Sequence, residues 1–430
     1  MLNLETIRRD PDKIKKGLAL RGEISSVDEI LSLDTQRRAL VSERDSLRAT
    51  HNDLSRQYGI ARNTPPFDNS GQSTPESIRA RTVEISDRIE SLEIRIQSTQ
   101  ANLTSLLLIL PNIPAADTPI GKDSSDNKIV RSWGEIPKPV AEPLPHWDIG
   151  ENLDIIDFQR GTKIAGSRFF VLKGAGARLE RAIINWMLDV HTKEHGYTEI
   201  APPFLTREIN LVGAGNLPKF GDNLYRDSEE DLWLIPTAEV PLTNLHREEI
   251  LGEQLLPLSY VAQTPCFRRE KAAAGKDTRG IKRVHQFNKV ELYKFVKPEQ
   301  SDSELENLVA NAETLCQRLG LAYRVVALCT GDLGFQSSKT YDIEVWAPGS
   351  EEWLEVSSCS TCNDFQARRA NIRYRPRAGA KPEFLHTLNG SALALPRVLI
   401  ALLETYQQED GSVYIPDIIQ PYTGFSKITK

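Results

Sequence analysis

Residues 265–295 read PCFRREKAAAGKDTRGIKRVHQFNKVELYKF, and this stretch decides the fold class. Two strand-like segments, 265–270 and 283–295, flank a loop that contains two glycines and several basic residues. Strand segments on either side of such a loop predict a β-hairpin. The segments that follow alternate helices with strand pairs, so the region beyond residue 145 is predicted to be an α+β domain on an antiparallel sheet.

The predicted hairpin carries groups that could bind a nucleotide and an amino acid. Because alternate residues of a strand share a face, Phe287 and Glu291 should lie on one face, about 13 Å apart, and Arg268 and Glu270 on one face of the partner strand. An aromatic plate, a guanidinium and a carboxylate are what an aminoacyl-adenylate would need along its length. The alternative is a solvated hairpin with incidental cross-strand pairs.

A second candidate lies near the end of the chain. Residues 392–403 form an apolar run in which Arg397 is the one charged residue. A helix this apolar is predicted to be buried on all sides, so its guanidinium needs an anionic partner. That partner is either a structural carboxylate or a nucleotide phosphate, whose oxygens suit the guanidinium fork.

A third segment, residues 352–359, reads as a strand with oxygen ligands. Glu355 and Ser358 could hold Mg²⁺, a hard ion that prefers oxygen. In a regular strand these two side chains point to opposite faces, so joint binding requires an irregular backbone between them.

Several common catalytic motifs are absent from the sequence. It has no Gly-x-x-x-x-Gly-Lys-Ser/Thr loop, no Gly-x-Gly-x-x-Gly fingerprint and no His-Glu-x-x-His motif. Cys359 and Cys362 have no second cysteine pair or suitably spaced histidines, so both thiols are predicted to be structural. Any ATP would therefore bind without a P-loop or a Rossmann site.

The first 110 residues have a different pattern, with apolar residues at heptad spacing. The upstream repeat is Leu33, Leu40, Leu47 and Leu54, and the downstream repeat is Ile85, Ile89, Leu92, Ile96, Thr99, Leu103, Leu106 and Leu110. Residues 57–71 contain Pro and Gly and predict a turn. Two long helices, the second beginning at Pro75, would form an antiparallel hairpin. The heptads alone favour a dimerisation or spacer coiled coil, and residues 111–145 read as a linker.

Composition limits the class of protein. The 430 residues are 40% hydrophobic and 26% charged, and they carry a net charge of −6, which argues against a general nucleic-acid coat. No apolar run approaches the roughly 20 residues of a membrane span, and the residues after Met1 lack an apolar signal core. Five cysteines favour a reducing cytoplasm over a disulfide framework.

These segments together resemble the class II aminoacyl-tRNA synthetases and, within them, closely the seryl-tRNA synthetases. Residues 196–205 after an apolar helix over 178–195 resemble motif 1, the dimer-interface element of the class. Residues 267–291 resemble motif 2, and 390–397 resemble motif 3. The serine-specific segments are 236–239 (PTAE), 279–291 (RGIKRVHQFNKVE) and 355–360 (EVSSCS).

The resemblance implies a role for individual residues. The catalytic residues would be Arg268 on the α-phosphate and Arg397 on the γ-phosphate, and Glu355 and Ser358 would hold Mg²⁺. The implied ATP-binding set is Arg268, Arg269, Glu270, Val284, Phe287, Glu355, Val356, Ser357, Ser358 and Arg397, with Phe287 stacked on adenine. The implied serine-binding set is Thr237, Ala238, Glu239, Glu291 and Ser391. The basic loop 271–283 would close over ATP and then meet the tRNA acceptor end.

The resemblance also implies the reaction and the partners. It implies a cytoplasmic homodimer, with no membrane partner, that uses ATP and Mg²⁺ to load serine onto serine tRNA, and it leaves selenocysteine tRNA open as a second acceptor. Residues 1–112 would be the tRNA-binding coiled-coil arm, and residues 113–430 the class II catalytic domain. Three alternatives are a sister synthetase for threonine, proline or glycine, an adenylating ligase for a carrier protein, and an inactive coiled-coil scaffold.

Overall fold

A computed structural model describes residues 1–23, 26–63, 74–136, 142–271 and 279–430. The chain divides into two compact units. The arm unit consists of Asn3–Lys16 and Ile24–Leu110, and the main unit consists of Met1–Leu2, Gly17–Glu23 and Pro111–Lys430.

Two long helices dominate the arm unit. The first helices of the chain are α1 (Leu4–Arg9), α2 (Pro11–Ala19), α3 (Val27–Asn63) and α4 (Pro75–Ile109). Thr74 caps α4 by accepting a hydrogen bond from the backbone N–H of Ser77, and Pro75 opens the helix, where a missing N–H costs nothing. The connection between α3 and α4 reaches at most about 40 Å, less than the roughly 55 Å length of α3. The two helices therefore pack antiparallel, as predicted.

The predicted heptad positions form the buried seam between α3 and α4. Every one of the predicted positions is buried or half-buried, and Leu92 and Leu103 have no exposed surface. Two ion pairs, Arg48–Glu93 at 2.5 Å and Arg88–Glu43 at 2.7 Å, join the helices outside the seam. Most of the predicted turn, residues 64–71, lies outside the described residues.

The main unit contains a large mixed sheet with helices packed against it. Its helices are α5 (His146–Asn152), α6 (Phe158–Ala165), α7 (Gly174–Lys193), α8 (Glu208–Ala214), α9 (Glu239–Asn244), α10 (Ser301–Arg318), α11 (Phe365–Ala370), α12 (Leu395–Thr405) and α13 (Gln420–Thr423). Its strands are β1 (Lys128–Trp133), β2 (Ile156–Asp157), β3 (Val171–Leu172), β4 (Thr198–Glu199), β5 (Leu205–Thr206), β6 (Trp233–Leu234), β7 (Ile250–Gly252), β8 (Leu258–Phe267), β9 (Gln286–Val296), β10 (Tyr323–Ala327), β11 (Lys339–Ala347), β12 (Glu352–Asn363), β13 (Arg373–Arg375), β14 (Glu383–Phe384), β15 (His386–Ala394), β16 (Val413–Tyr414) and β17 (Lys427–Ile428).

The eight-stranded sheet runs in the order β1-β10-β11-β12-β15-β9-β8-β4. Every neighbouring pair is antiparallel except β4 and β8 at one edge. Apolar residues of α7, α10 and α12 pack with the sheet in one core. On β9, Val290 and Leu292 belong to this core, whereas Tyr293 and Phe295 belong to a second cluster with α9. This alternation puts Tyr293 and Phe295 on the face opposite the main core.

The linker prediction for residues 111–145 was wrong in part. Residues Lys128–Trp133 form β1, an edge strand that pairs antiparallel with β10, and Asn112 donates its side-chain amide to the carbonyls of Gln336 and Cys362. The Pro- and Asp-rich composition is typical of an edge segment as well as of a linker, because an edge strand does not need a continuous apolar face. Residues 137–141 of the predicted linker lie outside the described residues.

Arg21 fixes one loop of the main unit. Its guanidinium donates to the carbonyls of Asn112, Leu333, Gly334 and Ser337 at 2.7–3.0 Å. Burial lowers the pKa of Arg21 to about 10. The guanidinium thus holds the backbone between Leu333 and Ser337, which becomes one wall of the cavity described below.

No helix in the described part of the chain combines the length and the apolar character needed to cross a membrane.

Candidate active site

The predicted hairpin exists, with β8 and β9 as its strands. Cys266 lies opposite Phe287, and Ala262 opposite Glu291. One part of the prediction was wrong: β8 ends at Phe267, so Arg268 and Glu270 follow the strand instead of sharing one of its faces. Glu270 has a positive φ of 48°, which is incompatible with extended backbone and turns the chain out of the sheet. Residues 272–278 of the connecting loop lie outside the described residues.

A cavity of about 440 Å³ opens over this face of the sheet. The sequence-predicted site residues that line it are Thr237, Glu239, Arg268, Glu270, Val284, Phe287, Glu291, Glu355, Ser358, Ser391 and Arg397. They come from the hairpin, from β12, β15 and α12, and from the segment that opens α9. Residues more than 150 positions apart in sequence thus share one cavity.

Four predicted site residues do not line the cavity. Ala238 and Val356 are buried in the two apolar clusters. Ser357 is buried and donates its hydroxyl to the carbonyl of Ser391. Arg269 is exposed, and its guanidinium lies 5.8 Å from the ring centre of Tyr225.

One part of the cavity wall has an arginine beside an aromatic ring. The guanidinium of Arg268 lies 5.2 Å from the ring centre of Phe287, within cation–π range. Its Nε donates to the carbonyl of Pro236 at 3.1 Å, and its backbone N–H pairs with the carbonyl of His285 at 2.9 Å. The terminal guanidinium nitrogens are therefore held close to the ring at the wall of the cavity.

A β-bulge at Val356 brings the predicted metal ligands together. In the pairing of β11 with β12, Ser357 faces Ile343 and Glu355 faces the next residue, Glu344, so Val356 is the extra residue. One extra residue shifts the alternation of side chains by one position. Glu355 and Ser358 therefore both line the cavity, and the irregular backbone that their joint use requires is present.

Asp342 adds a carboxylate beside this pair. It lies opposite Ser358 in the sheet and lines the cavity, and its Oδ1 is buried with no hydrogen-bond partner among the described residues. Burial, and then the negative charge of Glu355, raise the pKa of Asp342 well above its usual value. A buried carboxylate without a full set of partners favours a cation as its missing neighbour.

Arg397 pairs with a structural carboxylate, that of Glu355, which is one of the two kinds of partner that the sequence predicted. Its NH1 donates to the backbone carbonyl of Glu355 at 2.6 Å and lies 3.1 Å from the Oε2 carboxylate oxygen. The rest of α12 is buried, as its apolar sequence predicts. About a fifth of the Arg397 side chain stays exposed at the cavity, so the same guanidinium is accessible to an anion there.

Another part of the cavity wall is a set of buried carboxylates and their donors. Thr237 donates its hydroxyl to Oε2 of Glu291 at 3.2 Å, and Lys289 forms an ion pair with the same carboxylate. Burial, and then the nearby charge of Glu291, raise the pKa of Glu239 to about 7. Asn389 donates its amide to Glu239 at 3.0 Å. Two acidic groups thus face the cavity, and the pKa of one of them, Glu239, is raised.

Several lining residues were missed at the level of sequence. They are Lys289, Asp332, Gln336, Asp342 and Asn389, whereas Lys282 and Arg283 belong to the basic loop that the resemblance placed over ATP. Strand alternation could have predicted Lys289, because it lies two residues before Glu291 on the same strand face. Asp342 and Gln336 come from β11 and the loop before it, and no local motif marks them.

This arrangement defines a class of protein. An antiparallel sheet with a hairpin site, and with an arginine at the start of a buried helix, is the architecture of a class II aminoacyl-tRNA synthetase. The family model described as "tRNA synthetase class II core domain (G, H, P, S and T)" matches residues 222–406. The model described as "Seryl-tRNA synthetase N-terminal domain" matches residues 1–114.

Whole-chain relatives narrow the class to one family. The serine–tRNA ligase of Thermomicrobium roseum is 56% identical over 99% of this chain and 94% of its own length. The serine–tRNA ligase of Dehalococcoides mccartyi strain BAV1 is 52% identical over the whole of both chains. The seryl-tRNA synthetase of Pyrococcus horikoshii, solved as a complex with ATP, superposes with a TM-score of 0.92 at 41% identity, over 100% of this chain and 99% of that one. The chain belongs to the seryl-tRNA synthetase family, which comprises ATP-using aminoacyl-tRNA synthetases.

Proposed function

We propose that this chain activates serine with ATP in the cavity over β8 and β9 and then transfers the seryl group to tRNA. The observation that carries the proposal is that one cavity is lined by Arg268, Phe287 and Arg397 and also by the carboxylates of Glu239 and Glu291. An adenylate of an amino acid has an aromatic base, phosphates and an ammonium in that order. The lining residues offer a group suited to each of these parts, namely an aromatic ring, guanidinium groups and carboxylates.

In the nucleotide half, Phe287 stacks on adenine, with Val284 beside it. Arg268 binds the α-phosphate, Arg397 binds the γ-phosphate, and Glu270 contacts the nucleotide. The 5.2 Å separation of Arg268 from the Phe287 ring supports this assignment, because a phosphate follows its base and ribose at short range. Arg269, Val356 and Ser357 lie outside the cavity lining, so we propose that they contribute through the backbone or through neighbouring residues.

In the serine half, Glu239 and Glu291 receive the ammonium and hydroxyl groups of serine. Thr237 and Ser391 complete this half, and Ala238 supports it from the buried side. Buried polar groups would reject alanine, because without a hydroxyl they would stay unpaired. The larger side chain of threonine must be excluded by the size of the pocket.

Mg²⁺ fits the donors present at the bulge. Glu355, Ser358 and Asp342 offer only oxygen atoms, and Mg²⁺ is usually bound through one or two carboxylates together with substrate phosphates. Within the described ranges, no group of three or more His, Cys, Asp or Glu side chains forms a metal site by itself, which agrees with an ion that relies on its substrate. The bound ion would neutralise phosphate charge.

The reaction has two steps. The serine carboxylate attacks the α-phosphorus, an oxygen–phosphorus bond forms, and pyrophosphate leaves with the electrons of the broken bond. A ribose hydroxyl at the tRNA 3′ end then attacks the seryl carbonyl, and AMP leaves. The protein supplies position and charge neutralisation instead of a covalent intermediate.

The finer partners follow the same proposal. We propose that residues 1–112 bind serine tRNA through the arm and that residues 113–430 carry the chemistry, and selenocysteine tRNA is a second acceptor to be tested in the same charging assay. We propose a homodimer, which is supported by the exposed apolar residues Phe204 and Leu205 at the end of the motif 1 segment and Ile209 shortly after it. Five free, buried thiols support a cytoplasmic location.

The test is ATP–pyrophosphate exchange with serine, threonine, alanine and glycine, together with Arg268→Ala. We expect exchange with serine alone, and a loss of roughly 10²- to 10³-fold in Arg268→Ala. Exchange with another amino acid would assign the site to a sister enzyme. No exchange from folded protein with Mg²⁺ would overturn the proposal and favour a scaffold.

A further inference from the structure

Gln366 lies behind the cavity, on α11, and lines no part of it. Its side chain has no exposed surface and makes four hydrogen bonds. Its Oε1 accepts from the hydroxyls of Tyr293 at 2.9 Å and Thr387 at 2.6 Å. Its Nε2 donates to the carbonyl of Ala214 at 2.9 Å and to Oε1 of Glu239 at 2.6 Å. The hydrogen-bonding capacity of the amide is thus fully used.

The orientation of this amide is fixed by its neighbours. A flip would place the Gln366 oxygen against the carbonyl oxygen of Ala214, and two acceptors would then face each other in the interior. Such an unmatched buried pair is disfavoured. Gln366 therefore always presents an N–H to Glu239, whatever the protonation state of that carboxyl group.

Three amide N–H groups converge on one oxygen of Glu239. Gln366, Asn389 and Gln336 all donate to Oε1, at 2.6, 3.0 and 3.3 Å. An oxygen that accepts three N–H groups cannot also carry a proton. Any proton on Glu239, and any contact with a substrate cation, must therefore use Oε2.

We propose that Gln366 is a positioning residue for serine: by donating to Oε1 of Glu239 from a fixed orientation, it keeps Oε2 aimed at the substrate ammonium and favours its anionic form. The inference rests on the proposed role of Glu239 in serine binding. It deepens that role, because it explains how a carboxyl group in a buried position is made ready for a cation.

The electrostatic surroundings of Glu239 disfavour its anionic form, so this carboxylate needs a hydrogen-bond donor. Burial raises the pKa of Glu239, and the charge of Glu291 raises it further, whereas Lys289 and the Gln366 hydrogen bond lower it. Among the described residues, Tyr293 on β9 and Cys362 on β12 also interact electrostatically with Glu239. Loss of the Gln366 donor should raise the pKa of Glu239, so that serine binding requires a higher pH.

The test compares Gln366→Met, which keeps the size but removes the donor, with Gln317→Met. Gln317 is an exposed glutamine whose amide donates to the Tyr323 hydroxyl at 2.7 Å, and it does not line the cavity. In pyrophosphate exchange at pH 7, we expect Gln366→Met to raise the KM for serine about tenfold to a hundredfold, the range for loss of a hydrogen bond to a charged group. The KM for ATP and kcat at saturating serine should stay within about twofold of the wild-type values, because the substitution leaves the nucleotide part of the cavity unchanged.

The pH profile separates positioning from a merely structural role. Between about pH 6.5 and pH 8.5 the serine KM of Gln366→Met should fall toward that of the wild type, because the raised pKa is overcome at high pH. Thr387→Val, which removes one of the two hydroxyls that hold Gln366, is a milder variant for the case in which Gln366→Met does not fold. It should raise the serine KM about threefold, an intermediate effect for one neutral hydrogen bond.

Two results would overturn the inference. One is a serine KM equal to the wild-type value in Gln366→Met, or in Thr387→Val if the first variant is unfolded. The other is an equal loss of serine and ATP affinity with no recovery at high pH, which would make Gln366 a packing residue. Failure of the proposed function would look different, since wild-type protein in the same assay would then show no exchange with serine.

Discussion

Replacing Glu239 with glutamine should stabilise the main unit at neutral and alkaline pH. The pKa of this buried carboxyl rises from 4.5 to about 7 on folding. Because the folded-state pKa lies above the unfolded one, the unfolded chain loses this proton first as pH rises. The free energy of unfolding therefore falls between pH 4.5 and about pH 7 and then levels off. A glutamine side chain has no such proton and avoids the loss.

The expected size follows from the shift. Between about pH 5 and about pH 7 the free energy of unfolding of the wild type should fall by the equivalent of about two pKa units, or roughly 3 kcal/mol at about 1.4 kcal/mol per unit. For a unit of about 320 residues the unfolding entropy is near 0.7 kcal/mol per kelvin, so the apparent Tm of Glu239→Gln should gain about 4 °C on wild type between pH 5 and pH 8. The amide oxygen of the substituted side chain can still accept the three N–H groups that now donate to Oε1.

The assay is thermal unfolding of both proteins, without substrates, from about pH 5 to about pH 8. Glu229→Gln, which removes an exposed carboxylate, is the matched control, and its Tm difference from wild type should not change over this range. A constant Tm difference between Glu239→Gln and wild type would refute the reasoning, because the buried carboxyl would then ionise as easily as in the unfolded chain. The same variant should lose serine-dependent exchange, since an amide N–H would face the ammonium.

Three further outcomes are expected. Leu92→Ala, at a fully buried seam position, should destabilise the arm unit by roughly 2–4 kcal/mol in a circular-dichroism melt, whereas the exposed Val83→Ala should not. In Leu92→Ala, serine-dependent exchange should stay within about twofold of the wild-type rate, while tRNA charging weakens. An equal loss of exchange and charging would contradict an independent arm. Phe287→Leu should raise the KM for ATP about tenfold and Phe287→Tyr by less than about threefold, as stacking of about 1–3 kcal/mol predicts, and equal values would argue against stacking. Asp342→Asn should weaken Mn²⁺ binding in the presence of ATP at least about tenfold, as measured by electron paramagnetic resonance. The control is Asp332→Asn, because Asp332 also lines the cavity. Unchanged Mn²⁺ binding in Asp342→Asn would remove Asp342 from the metal site.

Local patterns in the sequence were sufficient to predict several helices and strands. The heptad spacing predicted α3 and α4 and their seam, because a helix repeats its faces every three or four residues whatever it packs against. Alternation along β9 predicted that Phe287 and Glu291 share a face, for the same reason in a strand. The apolar run around Arg397 predicted a buried helix and the need for an anionic partner.

Local patterns failed where the backbone departs from regularity. The chain leaves β8 after Phe267 and turns at Glu270, whose φ is positive, so the strand ends earlier than alternation suggests. β1 is an exposed edge strand, so it has no apolar alternation to mark it within a Pro-rich segment. Both features depend on neighbours that are distant in sequence.

The sequence by itself determined the two kinds of structure in this chain, the family resemblance and eleven of the residues that line the cavity. Only the tertiary structure decided how those residues work together. Val356 becomes a bulge because β12 must pair with β11, and this brings Glu355 and Ser358 to one side. Glu239 acquires its raised pKa from burial and from the charge of Glu291, and its three donors come from α11, from β15 and from the loop held by Arg21. Burial and hydrogen-bond partners are properties of the packed chain, and no spacing of residues along the sequence specifies them.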